Sequence, residues 1–386
     1  MQSNKVVTKE RIYSLDVLRG FSLFGIILMN IIGFTHDTFH MNPYVMFQYG
    51  WNRVLYSLEV LFVQNSFYPI FAFLFGYGLA MMHDSAKKRN KNFVPIVYRR
   101  LIAMIIFGVI HGMLIFSGDI LQSYAIVTLV GALFLFVDRL YSLIAALFLW
   151  LMYAALYWVP TLAFALQHPD QDYMSSNPNA AAYSMNVFNS RDLSQIIELT
   201  QDNFFTYFFV SDVNSFLFRA TSLLPLILLG MFAKRVNLFQ LIVSNRRLSI
   251  LLAGIFFILG LAIKSLPLMY YGRYSLDAVG IYTGGIILAA GYITTIVLLS
   301  ENDSFKRWTL PISKVGKISF TTYITQSLLM FAMIYGFQLY GKMNLIETYT
   351  IAILIYLVNI LFASLYLKRF KQGPLEYIWR KITYLE

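Results

Sequence analysis

The chain has 386 residues, of which 58% are hydrophobic and only 13% are charged, and its formal net charge is +11. Soluble domains carry about 25% charged residues, so this composition excludes an ordinary soluble fold. The chain contains no cysteine, which excludes disulfides, thiolate metal ligands and cysteine nucleophiles.

Continuous apolar runs recur along the chain, each close to the length that a helix needs to cross a hydrocarbon core of ~30 Å. Backbone polar groups inside a bilayer must be satisfied internally, and runs of this kind do not alternate as barrel strands do. We therefore predict an all-α, polytopic transmembrane helix bundle. About ten spans are expected, at 15–35, 66–83, 97–117, 120–137, 141–163, 214–233, 247–266, 277–299, 318–337 and 346–367.

The positions of Lys and Arg predict the orientation of these spans. With both termini in the cytoplasm, the basic residues fall in cytoplasmic segments or at the cytoplasmic helix ends, as the positive-inside rule expects. Of the 30 basic residues, the exceptions are Arg53, Arg191, Arg219, Lys264, Arg273 and Lys342. Because the positive charge lies at helix ends and not on one soluble domain, we expect the lipid bilayer, and not nucleic acid, to be the partner of this charge.

The longest loop divides the predicted spans into two groups of five. We therefore expect three regions: a first transmembrane half at 1–163, an extracytoplasmic loop at 164–213, and a second transmembrane half with a cytoplasmic tail at 214–386. The loop is polar and acidic, and its stretch 191–209 is expected to form a short interfacial helix. Segment 45–64 could lie on the outer surface in a similar way.

Five motifs in order resemble those of the YeiB-like family of bacterial inner-membrane proteins. They are RIYSLDVLRGFSLFGIILMNI (11–31), FYPIFAFLFGYG (67–78), RRLIAMIIFGVIHGMLIFSGDILQSYAI (99–126), GKISFTTYITQSL (316–328) and GPLEYIWRKITY (373–384). The last two resemble the family's C-terminal domain of unknown function. Ser66 departs from the pattern, because the family more often has Lys there.

The opening motif is also similar to that of the lysosomal heparan glucosaminide acetyltransferase and, more loosely, of bacterial membrane O-acyltransferases. Those enzymes transfer acyl groups from cytoplasmic acyl-CoA to acceptors across the membrane. The resemblance implies a multi-pass protein of the bacterial inner membrane, with acyl-CoA as a candidate donor and a glycan or small molecule as a candidate acceptor.

His111 is the first candidate catalytic residue, because it lies deep in the third predicted span, where an ionisable group is costly and suggests a site. A histidine that joins two helices structurally is the alternative. Asp119 follows in a tight outer turn, where it could cap the next helix or fold back to orient the imidazole. His36 is the second choice for a catalytic base.

Arg99 and Arg100 stand at the cytoplasmic start of the same span and are candidate ligands for the phosphates of acyl-CoA. Arg100 and His111 share a helix face to within ~20°, and their spacing resembles a motif of the membrane O-acyltransferases. Ordinary anchoring at the lipid headgroups is the alternative. Arg19 is a third candidate cofactor ligand, although pairing with Asp16 three residues earlier is the simpler interpretation.

No cluster in the sequence has the spacing of a metal site, and we expect no metal. We therefore expect an acyltransferase-like membrane protein in which His111, oriented by Asp119, acts on an acceptor. A permease for a small metabolite is the alternative, although no internal repeat supports it. A non-catalytic accessory membrane protein is a third possibility.

Overall fold

The structure is a computed structural model that describes residues 12–385, so the basic residues Lys5, Lys9 and Arg11 lie outside the described part. The first half of the chain forms α1 (Tyr13–Thr35), α2 (Pro43–Met46), α3 (Gly50–Phe62), α4 (Phe67–Lys88), α5 (Phe93–Leu114), α6 (Leu121–Gly131), α7 (Arg139–Tyr153), α8 (Val159–Gln167), α9 (Pro178–Phe188) and α10 (Leu193–Asn203). The second half forms α11 (Val213–Ser222), α12 (Leu224–Arg235), α13 (Leu238–Ser244), α14 (Arg246–Met269), α15 (Tyr274–Leu299), α16 (Asp303–Lys317), α17 (Ser319–Gly336), α18 (Leu345–Tyr366) and α19 (Pro374–Tyr384).

Within residues 12–385, eight helical segments are long and apolar enough to cross a membrane. They are Tyr13–Thr35, Gly50–Lys88, Phe93–Leu114, Arg139–Gln167, Val213–Arg235, Arg246–Met269, Tyr274–Leu299 and Leu345–Tyr366. The predicted all-α, polytopic bundle is thereby confirmed. The number of spans and the placement of the termini stay predictions, as does the division of the chain into three regions.

Two predicted spans differ from simple straight helices. The one expected at 318–337 is α17, which joins α16 at an angle of 82°, so the pair is either one broken span or a re-entrant segment. The one expected at 120–137 is the short apolar helix Leu121–Leu135. Segment 45–64, expected on the outer surface, contains α3, which packs against α14, α15 and α18.

Helix α1 lies at the centre of the bundle and packs against α4, α15, α16, α17 and α18. Glycine permits the closest of these crossings, because a Cβ on Gly316 of α16 would lie 1.8 Å from the backbone oxygen of Asp16 in α1. The crossing of α4 and α12 is equally close, since a Cβ on Gly76 would lie 1.9 Å from the carbonyl oxygen of Ile227. Small residues at such contacts are typical of helix packing in membranes, where close van der Waals contact is a main source of association.

The bundle has two chemically different ends. The end that carries Lys88, Arg100, Lys317 and Arg380 is here called the inner end, and the end covered by residues 164–213 is called the outer end. The covering segment includes α9 and α10, and α10 packs against α5 where an interfacial helix was predicted. It is tied down by hydrogen bonds from Asn177 N to His40 O (2.6 Å) and from Asn189 Nδ2 to Tyr340 O (2.9 Å).

The orientation can be tested in a chain without native cysteines. Ser175 is exposed at the outer end and Ser304 is exposed at the inner end. If the inner end faces the cytoplasm, the Ser175→Cys protein should react with an impermeant thiol reagent in intact cells, and the Ser304→Cys protein should react only after lysis. The opposite pattern of labelling would invert the topology.

The close helix crossings predict a specific sensitivity to an added methyl group. Gly76→Ala should lower the melting temperature of the purified protein, because over-packing costs about 1–3 kcal/mol. Gly254→Ala is the matched control, since a Cβ there meets nothing within 4 Å. Equal melting temperatures for the two variants would show that the α4–α12 contact tolerates separation.

Candidate functional site between two cavities

His111 and Asp119 are brought together by the turn between α5 and α6. His111 lies in the last turn of α5, and its Nδ1 is 2.7 Å from Oδ2 of Asp119. The other carboxylate oxygen accepts a hydrogen bond of 2.8 Å from the backbone N–H of Leu121, the first residue of α6. Asp119 thus contacts the imidazole and also accepts from the first N–H of α6, although the N-cap position of that helix is Ile120 and not Asp119.

Tyr323 of α17 is a third member of this network that the sequence analysis did not single out. Its hydroxyl donates to Oδ2 of Asp119 at 3.0 Å, and its ring centroid lies 5.2 Å from that of His111. The only signal in the sequence was its place within the motif at 316–328, which does not indicate a contact with Asp119. All three side chains are buried.

One nitrogen of the His111 ring remains available. Nε2 is buried and makes no hydrogen bond to any of residues 12–385. An imidazole whose Nδ1–H donates to a carboxylate carries its free lone pair on Nε2, which is the arrangement of a general base or a nucleophile.

A cavity of about 500 Å³ opens at the inner end, and we call it the inner cavity. Its wall carries six cationic side chains, from Arg19, Arg89, Lys91, Arg100, Lys317 and Arg380. Glu376 is the single acidic side chain of the wall among the described residues, and it is already bonded to the backbone N–H groups of Phe320 and Thr321. The cavity is therefore suited to an anionic ligand, and its deep part reaches Tyr323.

The three arginines proposed as cofactor ligands do not all face this cavity. Arg19 and Arg100 line it, whereas Arg99 turns away and donates from Nε to the backbone oxygen of Thr383 at 3.1 Å. Consecutive helical residues point about 100° apart, and of the two adjacent arginines Arg100 is the one that lines the cavity. The guanidinium of Arg100 stacks on the indole of Trp379, with Cζ 3.5 Å from the ring centroid.

A second cavity of about 360 Å³ lies at the outer end, and we call it the outer cavity. Its charged wall residues are Glu59 and Arg219, and the remaining lining is largely aromatic and amide side chains. Tyr323 lines the outer cavity as well as the inner one. Tyr323 therefore connects the two cavities to the buried His111–Asp119 pair, although neither His111 nor Asp119 itself lines a cavity.

The other candidate histidine has no free nitrogen. His36 contacts Oγ1 of Thr35 through Nδ1 at 2.8 Å, and its Nε2 lies 3.0 Å from the backbone oxygen of Met343. Both ring nitrogens are thus used, Nδ1 on the neighbouring Thr35 and Nε2 in the contact that joins the end of α1 to the loop before α18. Across residues 12–385, no group of three or more His, Asp or Glu side chains could hold a metal ion.

Comparison with known proteins supports the resemblance seen in the motifs. The family described as "Protein of unknown function (DUF418)" matches residues 233–386. The uncharacterized protein YxaH of Bacillus subtilis strain 168 is 29% identical over 401 aligned residues, which cover 98% of this chain and 96% of that protein. The uncharacterized protein YeiB of Escherichia coli K12 is 24% identical over 408, covering 97% and 96% of the two chains. These relatives align along almost the whole length of the chain, which is therefore similar throughout to YeiB-like proteins, and its residues 233–386 match the DUF418 family.

Proposed function

We propose that the protein is a transmembrane acyltransferase that takes an acyl group from acyl-CoA at the inner end and passes it to an acceptor in the outer cavity. The observation that carries this proposal is that Tyr323 lines both a cationic cavity and a nearly neutral one while its hydroxyl is bonded to Asp119 of the buried His111–Asp119 pair. We further propose that the inner end faces the cytoplasm and that the protein resides in the inner membrane of a bacterium.

The inner cavity supports the choice of donor. CoA carries several phosphate charges on one part and a neutral pantetheine arm on the other. The phosphates would lie among the cations of the cavity mouth, with Arg100 and Arg19 as ligands. The arm would extend along Met104 and Leu121 towards Tyr323. Arginine suits this role because its planar guanidinium can bind phosphate oxygens in a bidentate manner.

His111 has two possible parts in the chemistry. As a general base, Nε2 would take the proton of an acceptor hydroxyl or amine while the acceptor oxygen or nitrogen attacks the thioester carbon. The C–S bond then breaks, and the CoA thiolate takes up the proton from the imidazolium. As a nucleophile, Nε2 would first form an acyl-imidazole with release of CoA, and the acceptor would attack that intermediate. In both cases Asp119 stabilises positive charge on the ring.

A permease is the second candidate, because two cavities that meet at one tyrosine also resemble the halves of an alternating-access pathway. The two functions differ in what they consume. Purified protein in sealed vesicles should release free CoA from acyl-CoA only if it is a transferase. Movement of a solute without thioester breakdown would favour the permease.

The donor site predicts selective stabilisation by CoA. At a hundredfold excess over its dissociation constant, a ligand stabilises the fold by about 2.7 kcal/mol, so the purified protein should melt higher with acetyl-CoA than with ATP at equal ionic strength. Arg100→Gln should remove this shift. Arg99→Gln should keep it, because Arg99 faces away from the cavity, and so should Arg139→Gln, which changes an exposed arginine outside it.

Replacement of His111 should separate the binding of CoA, measured by the melting shift, from the chemistry of acyl transfer, measured by the transfer rate. His111→Ala should keep the CoA-dependent shift and lose transfer by about 10²–10⁴-fold, the usual contribution of a general base. Transfer at the wild-type rate by the His111→Ala protein would refute the assigned role, and the absence of any CoA-selective shift in the wild type would refute the donor.

Trp379 is expected to hold Arg100 in place for the phosphates. Stacking of this kind is worth about 0.5–2 kcal/mol, depending on burial, so Trp379→Ala should weaken CoA binding from a few-fold up to about thirtyfold. Trp379→Phe, which keeps an aromatic face, should recover most of the affinity. Titration of each variant with CoA measures its affinity. Equal losses of affinity in the Trp379→Ala and Trp379→Phe proteins would argue against stacking as the cause.

A further inference from the structure

The outer cavity contains a buried carboxylate with an unused acceptor. Glu59 of α3 lines this cavity and is only 4% exposed, and its Oε2 makes no hydrogen bond to any residue in the described range 12–385. A carboxylate oxygen accepts hydrogen bonds only, and leaving it without a donor in a buried place is costly. A ligand of the outer cavity would therefore be one that brings a hydrogen-bond donor to Glu59.

The charge around Glu59 narrows the class of ligand. Lys264 is fully buried and interacts electrostatically with Glu59, and its Nζ donates to the backbone oxygen of Gln64 at 2.5 Å and to Oγ of Ser66 at 2.7 Å. A lysine held in place by two hydrogen bonds thus already acts on the carboxyl group of Glu59. A cationic ligand would add an unbalanced charge to this site, and Arg219 on the same cavity wall would repel it.

An anionic ligand is disfavoured for the complementary reason. An anionic group has only hydrogen-bond acceptors to offer. It would therefore place its own acceptor oxygens next to Oε2 of Glu59, which needs a hydrogen-bond donor. Arg219 would attract an anion, but its guanidinium is already engaged: its Cζ lies 5.4 Å from the ring centroid of Phe218, and Nη2 donates to the backbone oxygen of Tyr207 at 3.4 Å. A neutral molecule with several hydroxyl groups satisfies the carboxylate without adding charge.

The remaining lining fits such a molecule. The side chains of Tyr68, Phe116, Phe218 and Tyr282 present aromatic rings, and those of Asn30 and Asn65 present amides. Aromatic faces accept the apolar C–H surface of a sugar ring, while amides both donate to and accept from its hydroxyl groups. A volume of about 360 Å³ lies within the range of small-molecule sites and is sufficient for one sugar ring.

We infer that the outer cavity is a binding site for a neutral polyhydroxylated molecule, a monosaccharide or sugar alcohol, anchored by hydroxyl groups that donate to Glu59. The cavity extends to Tyr323, whose hydroxyl is bonded to Asp119. A hydroxyl group of the bound molecule would then be directed towards the His111 pair. Its role as the acyl acceptor rests on the proposed function, whereas its binding does not.

The binding test uses the full chain in lipid nanodiscs without CoA, because maltoside and glucoside detergents would themselves compete for the site. Glucose, galactose and mannitol serve as neutral probes, with galactosamine at pH 6 and glucuronate as the charged counterparts, each titrated by calorimetry. At least one neutral probe should bind, and at least tenfold more tightly than both charged sugars. Failure of all three neutral probes to bind, or preference for galactosamine or glucuronate, would overturn the inference.

Two variants connect the binding to the outer cavity. Glu59→Gln keeps the size of the side chain and should weaken binding at least tenfold, whereas Glu198→Gln, an exposed outer-end control, should not. Gly33→Val adds volume to the cavity without touching Glu59, since a Cβ at this position would meet only the ring of Phe116 at 3.5 Å. The Gly33→Val variant should also weaken sugar binding, and it still tests the site if the Glu59→Gln protein does not fold.

The tests of sugar binding in the outer cavity can fail independently of the tests of the proposed acyl transfer. Unchanged affinity in both the Glu59→Gln and the Gly33→Val proteins would refute the site. Sugar binding that depends on Glu59 in a protein that never consumes acyl-CoA would refute the transferase and leave the binding site standing.

Discussion

Hydrocarbon offers no hydrogen-bonding partner, so each polar side chain that enters the bundle must find its partners within the protein. Asp119 shows what this constraint produces. Its two oxygens receive bonds from His111 of α5, from Leu121 at the start of α6 and from Tyr323 of α17. One fully buried carboxylate thereby holds three helices in a fixed arrangement. Removing one partner of such a network leaves a buried acceptor short of a donor, which costs about 1–3 kcal/mol.

The bend between α16 and α17 follows from the same constraint. Helix α17 begins at Ser319, next to the inner cavity, where its first backbone N–H groups have no partner within the helix. Glu376 of α19 accepts bonds from Phe320 N at 2.8 Å and Thr321 N at 3.1 Å. A carboxylate is well placed at the positive end of a helix dipole. The C-terminal helix therefore both stabilises this interior helix end and closes one wall of the cavity.

The two cavities differ in charge because their walls are built from different parts of the helices. The inner cavity is lined by basic residues near helix ends, and its cationic excess acts at short range on any ligand that enters. The outer cavity lies among tyrosines and phenylalanines, and the carboxyl group of its Glu59 interacts electrostatically with the buried Lys264. An anionic ligand and a neutral one could thus approach Tyr323 from opposite ends, as the proposed group transfer would require.

The fold class and part of the site could be predicted from local patterns. Continuous apolar runs predict helices, and the separation of only eight positions between His111 and Asp119 makes their contact a short-range one. The helical repeat likewise placed Arg100 on the face of His111, and the structure puts it in the cavity wall. Arg99 was grouped with Arg100 by adjacency alone, although the same repeat turns it towards Thr383.

The sequence alone predicts an all-α membrane protein with a basic end, and it offers a contact between His111 and Asp119 as one of two alternatives, because each of these depends on residues close together in the chain. Tertiary structure decided the rest. Tyr323 reaches Asp119 across 204 positions of sequence, and Lys264 stands about as far from Glu59. Such contacts depend on where helices cross, and the crossings depend on glycines such as Gly76 and Gly316, whose partners no periodicity reveals. Helix faces follow from local spacing, whereas the cavities between them exist only once distant helices have packed.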